Sequence, residues 1–233
     1  MSKVVIFSGA GISAESGIST FRDSSGLWNE YKVEDICSAG CMQTNRDETI
    51  AFYDKRRLEL EDKRANKAHL KIKELQDKYP NDIAIITQNI DNLFEKASCK
   101  NVQHLHGFLT TIYCEKCDYK EDIGYRRQKD VYDVCPKCNK DMLRPDVVFF
   151  GESAPMYAKM FKQIDDCEFL VIIGTSGNVI NTDMFLNPKI KHSILNNLDK
   201  SDAINGKLYS KILYKKASEA IDEIVNDIEE FLK

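Results

Sequence analysis

The chain has 233 residues, of which 42% are hydrophobic and 30% charged, and a formal net charge of −4. That is room for one full domain with an insertion, in the composition of an ordinary soluble globular protein. The mildly acidic balance argues against a general nucleic-acid surface, and no apolar run approaches the ~18 residues of a membrane span. An apolar strand starts at Val4 and leaves no room for a signal peptide ahead of it, so a cytoplasmic location is expected.

Val4-Val5-Ile6-Phe7 reads as a buried strand feeding a tight turn. Gly9-Ala10-Gly11-x-x-Ala14 then fits the dinucleotide fingerprint with alanine in the last place. The glycines let the backbone approach a pyrophosphate, and the helix that follows is expected to offer unpaired N–H groups and its positive dipole end. Taken alone, these residues equally describe a plain turn between strand and helix. The stretch 24–66 is predicted as a helical flap containing a charged amphipathic helix over Asp47–Leu60, and a second helix is predicted over Ala68–Leu75. Further strands are predicted at Ile83–Ile86, Val147–Phe150, Phe169–Ile173 and Ser193–Leu195, with a short one at Ile212–Tyr214. Their apolar character is continuous rather than alternating, which suggests a parallel sheet covered on both faces. Ser218 is predicted to cap a last helix whose stripe Ile221, Ile224, Val225, Ile228 and Leu232 packs into the core. Strand–helix alternation of this kind indicates an α/β fold, a Rossmann-like doubly wound parallel sheet.

Cys114, Cys117, Cys135 and Cys138 interrupt that alternation as C-x2-C-x17-C-x2-C, with Pro136 in the second knuckle. The spacing is that of a four-thiolate zinc site with no open position, hence one structural ion in a small inserted lobe over about 110–144. Two redox or disulfide-bonded CxxC pairs are the alternative, which a cytoplasmic setting disfavours. Cys37, Cys41, Cys99 and Cys167 lack such spacing and read as ordinary buried or half-buried thiols.

Ligands of doubly wound sheets bind beyond the carboxyl ends of the strands. Three polar clusters fall there: Thr87-Gln88-Asn89-Ile90-Asp91, Gly174-Thr175-Ser176 and Asn196-Asn197-Leu198-Asp199. Each alone is an unremarkable turn, but together with the Gly9 loop they suit a long polar ligand with several phosphates and riboses. His106, next to Gly107, is a candidate general base, although in isolation such a residue is more often a hydrogen-bonded loop histidine. His104, two residues earlier in an extended segment, faces the other way and reads as structural.

In this order, GAGISAESGI, TFR, TQNID, the His-Gly of HLHG, the paired CxxC, RPDVVFFGE, GTS and NLD resemble the sirtuins, NAD-dependent protein-lysine deacylases, over nearly the whole chain. The resemblance implies one catalytic domain over 1–233, with a large lobe over about 1–23, 67–109 and 145–233, a flap over 24–66 and a zinc lobe over 110–144. It implies NAD as co-substrate, bound by Gly9, Ala10, Gly11, Glu15, Thr20, Phe21 and Arg22 of the first loop. Gln88, Asn89, Ile90 and Asp91 would lie at the nicotinamide ribose and carboxamide, and Gly174, Thr175, Ser176, Asn197, Leu198, Asp199 and Ala217 on the adenosine side. It makes His106 and Asn89 catalytic, the former as base and the latter orienting ribose and water. Val147, Phe149, Phe150 and Gly151 would receive the substrate backbone as an added strand. Partners are then acylated lysines of proteins, with no nucleic acid and no membrane, and the protein is expected to be a monomer.

Tyr53-x-x-Arg56 lies on one face of the flap helix. In the sirtuin class that removes succinyl and malonyl groups such a pair binds the acyl carboxylate, and Thr20 also fits that class. A solvated helix face is the alternative for Tyr53 and Arg56. Ser24 stands where that class often has alanine; Asn92, Phe94, Asn181 and Ala65 depart from commoner family residues. An ADP-ribosyltransferase using the same NAD site and a non-catalytic NAD-sensing module remain as rival readings of the whole.

Overall fold

The computed structural model describes residues 2–19 and 32–233, and of Val33 the backbone alone. Thr20, Phe21, Arg22 and Ser24 therefore lie outside the described residues.

Strand β1 (Val4–Ser8) leads into a single helical turn, α1 (Gly11–Ala14). Then come α2 (Val33–Ile36), α3 (Cys41–Thr44), the long α4 (Arg46–Glu59) and α5 (Lys67–Lys78). They are followed by β2 (Ile83–Thr87), α6 (Leu93–Lys96) and the short β3 (Gln103–His104). An excursion holds β4 (Gly107–Cys114), β5 (Lys120–Asp122), α7 (Gln128–Val131) and β6 (Leu143–Val147). The chain returns through α8 (Tyr157–Asp165), β7 (Phe169–Ile173), β8 (His192–Asn197), β9 (Lys211–Tyr214) and α9 (Ala217–Phe231).

Six strands form one sheet in the order β3-β2-β1-β7-β8-β9, all parallel. The continuous apolar runs have the reason expected of them: alternate residues bury on opposite faces. Val4, Ile6, Ile83, Ile85, Val171 and Ile173 pack against α5 and α9 through Ile72, Leu75, Ile221 and Ile224. Val5, Phe7, Ile86, Leu170 and Ile172 pack against Met160 and Ile164 of α8 and against Phe185. Chain direction across the sheet reverses between β1 and β7, so the crevice beyond their carboxyl ends is the topological switch point.

The inserted excursion is a three-stranded antiparallel sheet, β5-β4-β6, with its own small core of Ile112, Cys114, Ile123, Cys135 and Leu143. A further apolar cluster joins the flap helices to the strands below them through Ile36, Cys37, Ile50, Phe52, Tyr53, Leu109, Val147 and Phe149. Arg57 stitches this junction. It is fully buried, its Nε donates to the Leu109 carbonyl at 2.8 Å, and it pairs with Asp54, which in turn accepts from the Gln128 N–H at 2.9 Å.

Three expectations need correction. Val147–Phe150 is not a strand of the parallel sheet. Pairing occurs over Leu143–Val147 in the small sheet, and Phe150 keeps only an isolated bridge to Ser38. Ser218 does not cap α9 with its own side chain. The helix starts at Ala217, two residues earlier than that cap implies, and the Glu15 carboxylate accepts from the Ser218 N–H at 3.0 Å and from its hydroxyl. The helix after the glycine loop is one turn long, and its amides are not unpaired. The N–H groups of Gly11, Ile12 and Ser13 donate to the carbonyls of Gly174, Gly9 and Ala10.

Asn66 ties α5 to that turn. Its Oδ1 accepts from the Ala68 N–H at 3.0 Å and from His69 Nδ1 at 3.1 Å, while its amide donates to the Ile12 carbonyl at 2.7 Å. His69 is fully buried with its ring 4.8 Å from that of Phe94, and burial pushes its imidazole from 6.5 down to about 4. The unfolded chain thus binds a proton near 6.5 that the folded chain takes up only near 4, so stability is lost as pH falls through that window. The loss approaches about 2–3 kcal/mol near pH ~4.5. In His69→Leu, the fall in denaturant-derived stability between neutral pH and that point is expected to shrink by this amount. An unchanged fall would contradict it.

Candidate active site

The polar clusters of the strand ends converge on one cavity of about 870 Å³ at the switch point. Gly9, Ala10, Gly11, Glu15, Gln88, Asn89, Ile90, Asp91, Gly174, Thr175, Ser176, Asn197, Leu198, Asp199 and Ala217 line it, together with His106. So do Tyr53, Arg56, Val147, Phe149, Phe150 and Gly151. Gly174 shows why the loops come so close. Its φ is +66°, and a Cβ there would sit 2.5 Å from the Ile12 nitrogen and 2.7 Å from Gly11 Cα.

The floor is a hydrogen-bonded net. Asn89 Nδ2 donates to the Gly9 carbonyl at 3.2 Å and to Ser13 Oγ at 3.0 Å, and Ser13 Oγ donates to Asp91 Oδ2 at 2.8 Å. Asp91 Oδ1 accepts from the Leu93 N–H at 3.0 Å. Burial raises the Asp91 carboxyl above its usual range, while the Leu93 and Ser13 hydrogen bonds work against that rise. Gln88 Nε2 reaches Thr175 Oγ1 at 2.9 Å, joining the rims of β2 and β7. On the opposite side Asn197 Nδ2 is buried without a hydrogen-bond partner, a donor suited to an incoming polar ligand. Close-packed glycine loops, an orphaned amide and a cavity of this size fit an extended dinucleotide.

His106 sits between β3 and β4. Gly107 has to follow it: φ is +92° and a Cβ would lie 2.0 Å from the Asp146 carbonyl oxygen. Its Nδ1 is 3.0 Å from the Gln88 carbonyl, which can only accept, so Nδ1 carries the proton and Nε2 the lone pair. Burial lowers the imidazole below its ordinary value, partly offset by that carbonyl. His104 turns away as expected, to the Asn89 carbonyl at 2.8 Å and Glu95 at 3.1 Å. Burial opposes its charge, but Glu95 and the Asn89 carbonyl prevail and hold it above the ordinary range.

On the flap side Tyr53 is buried, stacked on Phe149 with centroids 5.5 Å apart, and its hydroxyl donates to Cys37 Sγ at 3.4 Å. Burial pushes the Cys37 thiol up to about 11, so it stays protonated. Arg56 pairs with Glu59 at 3.3 Å, one turn along the same helix. Neither residue is a solvated surface group: the Arg56 side chain is 14% exposed and Tyr53 4%. Below them Arg144 holds the 147–152 segment. It grips both Glu152 oxygens at 2.7 and 3.0 Å and the Val147 carbonyl at 2.9 Å, and its guanidinium lies 3.9 Å from the Phe149 ring centroid.

In the small lobe the four thiols of Cys114, Cys117, Cys135 and Cys138 lie within 4.8 Å of one another, with Cys114–Cys138 and Cys117–Cys135 each at 3.6 Å. Four thiolates at ~2.3 Å from a tetrahedral ion stand about 3.8 Å apart, so the cluster is compatible with one zinc ion. The remaining thiols, Cys37, Cys41, Cys99 and Cys167, are buried.

The sequence profile of the Sir2 family matches residues 9–181. The chain is a member of the Sir2 family, the sirtuins. A protein of Campylobacter jejuni (strain RM1221) named "NAD-dependent protein deacylase" is 42% identical to this sirtuin over 233 residues, covering 100% of this chain and 98% of its own. One of Helicobacter hepaticus with the same name is 38% identical over 254 aligned positions, covering 99% of each chain. A Sir2 homologue solved in complex with NAD superposes with a TM-score of 0.86 at 30% identity, over 99% of this chain and 90% of that one.

Where this sirtuin departs from commoner residues, local reasons are visible. Asn92 donates to the Tyr125 hydroxyl at 2.7 Å, and Phe94 fills the space against His69. Asn181 caps the following 3-10 turn by accepting from the Asp183 N–H at 2.9 Å. Sequence reasoning missed Ser13, which couples Asn89 to Asp91, and Tyr157, whose hydroxyl meets His106 Nε2 at 2.8 Å. For Ser13 the signal was its place two residues after Gly11 inside the loop motif. For Tyr157, far along the chain, there was none.

Proposed function

We propose that this sirtuin uses NAD to remove acetyl, succinyl and malonyl groups from protein lysines, releasing nicotinamide, free lysine and O-acyl-ADP-ribose. Membership of the family, and full-length relatives that carry the name NAD-dependent protein deacylase, support the general activity. The observation that carries the acyl preference is that Tyr53 and Arg56 line the same cavity as His106. Bound NAD supplies an electrophilic ribose carbon and a nicotinamide leaving group. Asp91 holds the carboxamide and Asn89 orients the ribose and a water, while His106 Nε2 takes a proton from a ribose hydroxyl. Val147, Phe149, Phe150 and Gly151 line the cavity together with His106, and on this reading they would receive an acyl-lysine peptide as an added strand.

On this reading the chain is one catalytic domain of large lobe, flap and structural zinc lobe, acting as a monomer in the cytoplasm on acylated proteins. Among the described residues no helix is long and apolar enough to cross a membrane.

A charge-assisted bond to an acyl carboxylate is worth roughly 1.5–3 kcal/mol, or about ten- to a hundredfold. Arg56→Met is therefore expected to lower kcat/KM for succinyl- and malonyl-lysine peptides by that factor and to leave acetyl-lysine turnover far less affected. Equal loss on all three peptides would refute the carboxylate role. Mass spectrometry of the products decides the reaction class. O-acyl-ADP-ribose supports deacylation, a protein with added ADP-ribose identifies the transferase reading, and no nicotinamide release identifies a sensor.

A further inference from the structure

His106 is held from both sides of its ring. The Gln88 carbonyl at 3.0 Å fixes the proton on Nδ1, and the Tyr157 hydroxyl stands 2.8 Å from Nε2. With the lone pair on Nε2, the phenol has to be the donor. Burial raises the Tyr157 phenol, so it keeps its proton across the working range. Tyr157 is the first residue of α8, and α8 is anchored in the second core by Met160 and Ile164, so the hydroxyl is presented from a packed element and not from a loop. The ring centroids are 5.9 Å apart and inclined at 52°, so the two rings meet through the hydroxyl and are not stacked. An imidazole nitrogen has one lone pair and accepts one strong hydrogen bond. The atom on which the proposed reaction depends is therefore already occupied.

We propose that Tyr157 is a latch on the base: its hydroxyl holds His106 Nε2 in the ligand-free site, and a ribose hydroxyl takes over that nitrogen only when the phenol turns away. This rests on the reading of His106 as the general base. In the step that follows, the ribose O–H bond breaks, an N–H bond forms at Nε2, and the imidazole becomes a cation. The phenol keeps its proton throughout and redirects its hydrogen bond to water. Tyr157 is thus a positioning residue. It holds the ring in the orientation set by Gln88 and makes unproductive proton uptake at Nε2 compete with a hydrogen bond. Among the described residues, burial and the Gln88 carbonyl act on His106, His104 turns to Glu95, and Tyr157 is the titratable side chain in contact with the ring.

Tyr157→Phe keeps the aromatic ring and removes the latch. A net hydrogen bond to the neutral imidazole is worth about half to one pH unit in its pKa, or roughly two- to tenfold in an equilibrium. In the variant, the acidic limb of kcat/KM for NAD is expected to move up by about that half to one unit, and its plateau to rise by about two- to tenfold. The acidic limb of kcat is expected to stay, because the latch is already open in the ternary complex. NMR titration of the ligand-free protein, with the His106 signal assigned by its absence in His106→Ala, is expected to show the same upward shift without any turnover. A kcat lowered a hundredfold would overturn the latch in favour of a hydroxyl that relays the proton. Unmoved kinetic and NMR titrations would overturn it outright. An NMR shift with an unmoved kinetic limb would leave the latch standing and overturn the reading of His106 as the base.

Discussion

His106→Ala is expected to lower kcat for NAD-dependent deacylation by at least about 10²–10⁴-fold, the usual cost of removing a positioned general base. Among the described residues lining the cavity, no second imidazole accompanies it, for His104 is turned to Asn89 and Glu95. Asp91 is a poor substitute, since both its oxygens already accept, from Ser13 and the Leu93 amide. The His106 ring is joined to the Gln88 carbonyl and Tyr157, not to the glycine loop, so NAD binding should survive the substitution. The paired measurement is single-turnover deacylation alongside NAD affinity. Near-wild-type turnover in the variant would sink the assignment of the base.

Stripping the metal is expected to unfold the cysteine lobe and abolish activity without touching any residue of the cavity floor. Five residues form the buried centre of that lobe, and two of them, Cys114 and Cys135, are themselves candidate ligands. A core of that size cannot stabilise a segment this short, whereas structural zinc contributes apparent binding of order ~10–16 kcal/mol in small zinc modules. The damage should spread. The N–H of Gln128 in α7 caps Asp54 of the flap helix, and β6 carries the Arg144 that grips Glu152 and Val147 beside the cavity. Chelation followed by calorimetry is expected to lower the melting temperature and erase deacylation together, with zinc restoring both. A metal-free sample that keeps its melting point and its activity would overturn the structural-zinc reading.

The parallel sheet was legible because its strands are buried on both faces, so that Val4–Phe7, Ile83–Ile86 and Phe169–Ile173 announce themselves as apolar runs. The polar rim of the cavity was legible for a related reason: polar residues directly after such runs have one place to go in a doubly wound fold. Val147–Phe150 misled by the same rule. Its apolar side chains serve the flap cluster and the cavity wall, while the strand beside it contains Arg144, Pro145 and Asp146. Polar content and proline are tolerated there because β6 is an edge strand and Arg144 is matched by Glu152. Ser218 illustrates a second limit, since its amide is satisfied by Glu15 from the far end of the chain. The contact of Tyr157 with His106 spans 51 positions and exists only once α8 has docked on the sheet.

Arg57 has a practical corollary for chimeras. Its buried guanidinium and its partner Asp54 bind the flap helix to Leu109 on β4 and to Gln128 on α7, so that helix and the cysteine lobe are cut to fit each other. Transplanting the flap alone between two sirtuins would strand a buried cation beside a foreign backbone, which costs several kcal/mol. On the proposed roles of Tyr53 and Arg56, acyl preference would be exchanged only as a block of flap, β4 and lobe, with crossover points drawn outside all three.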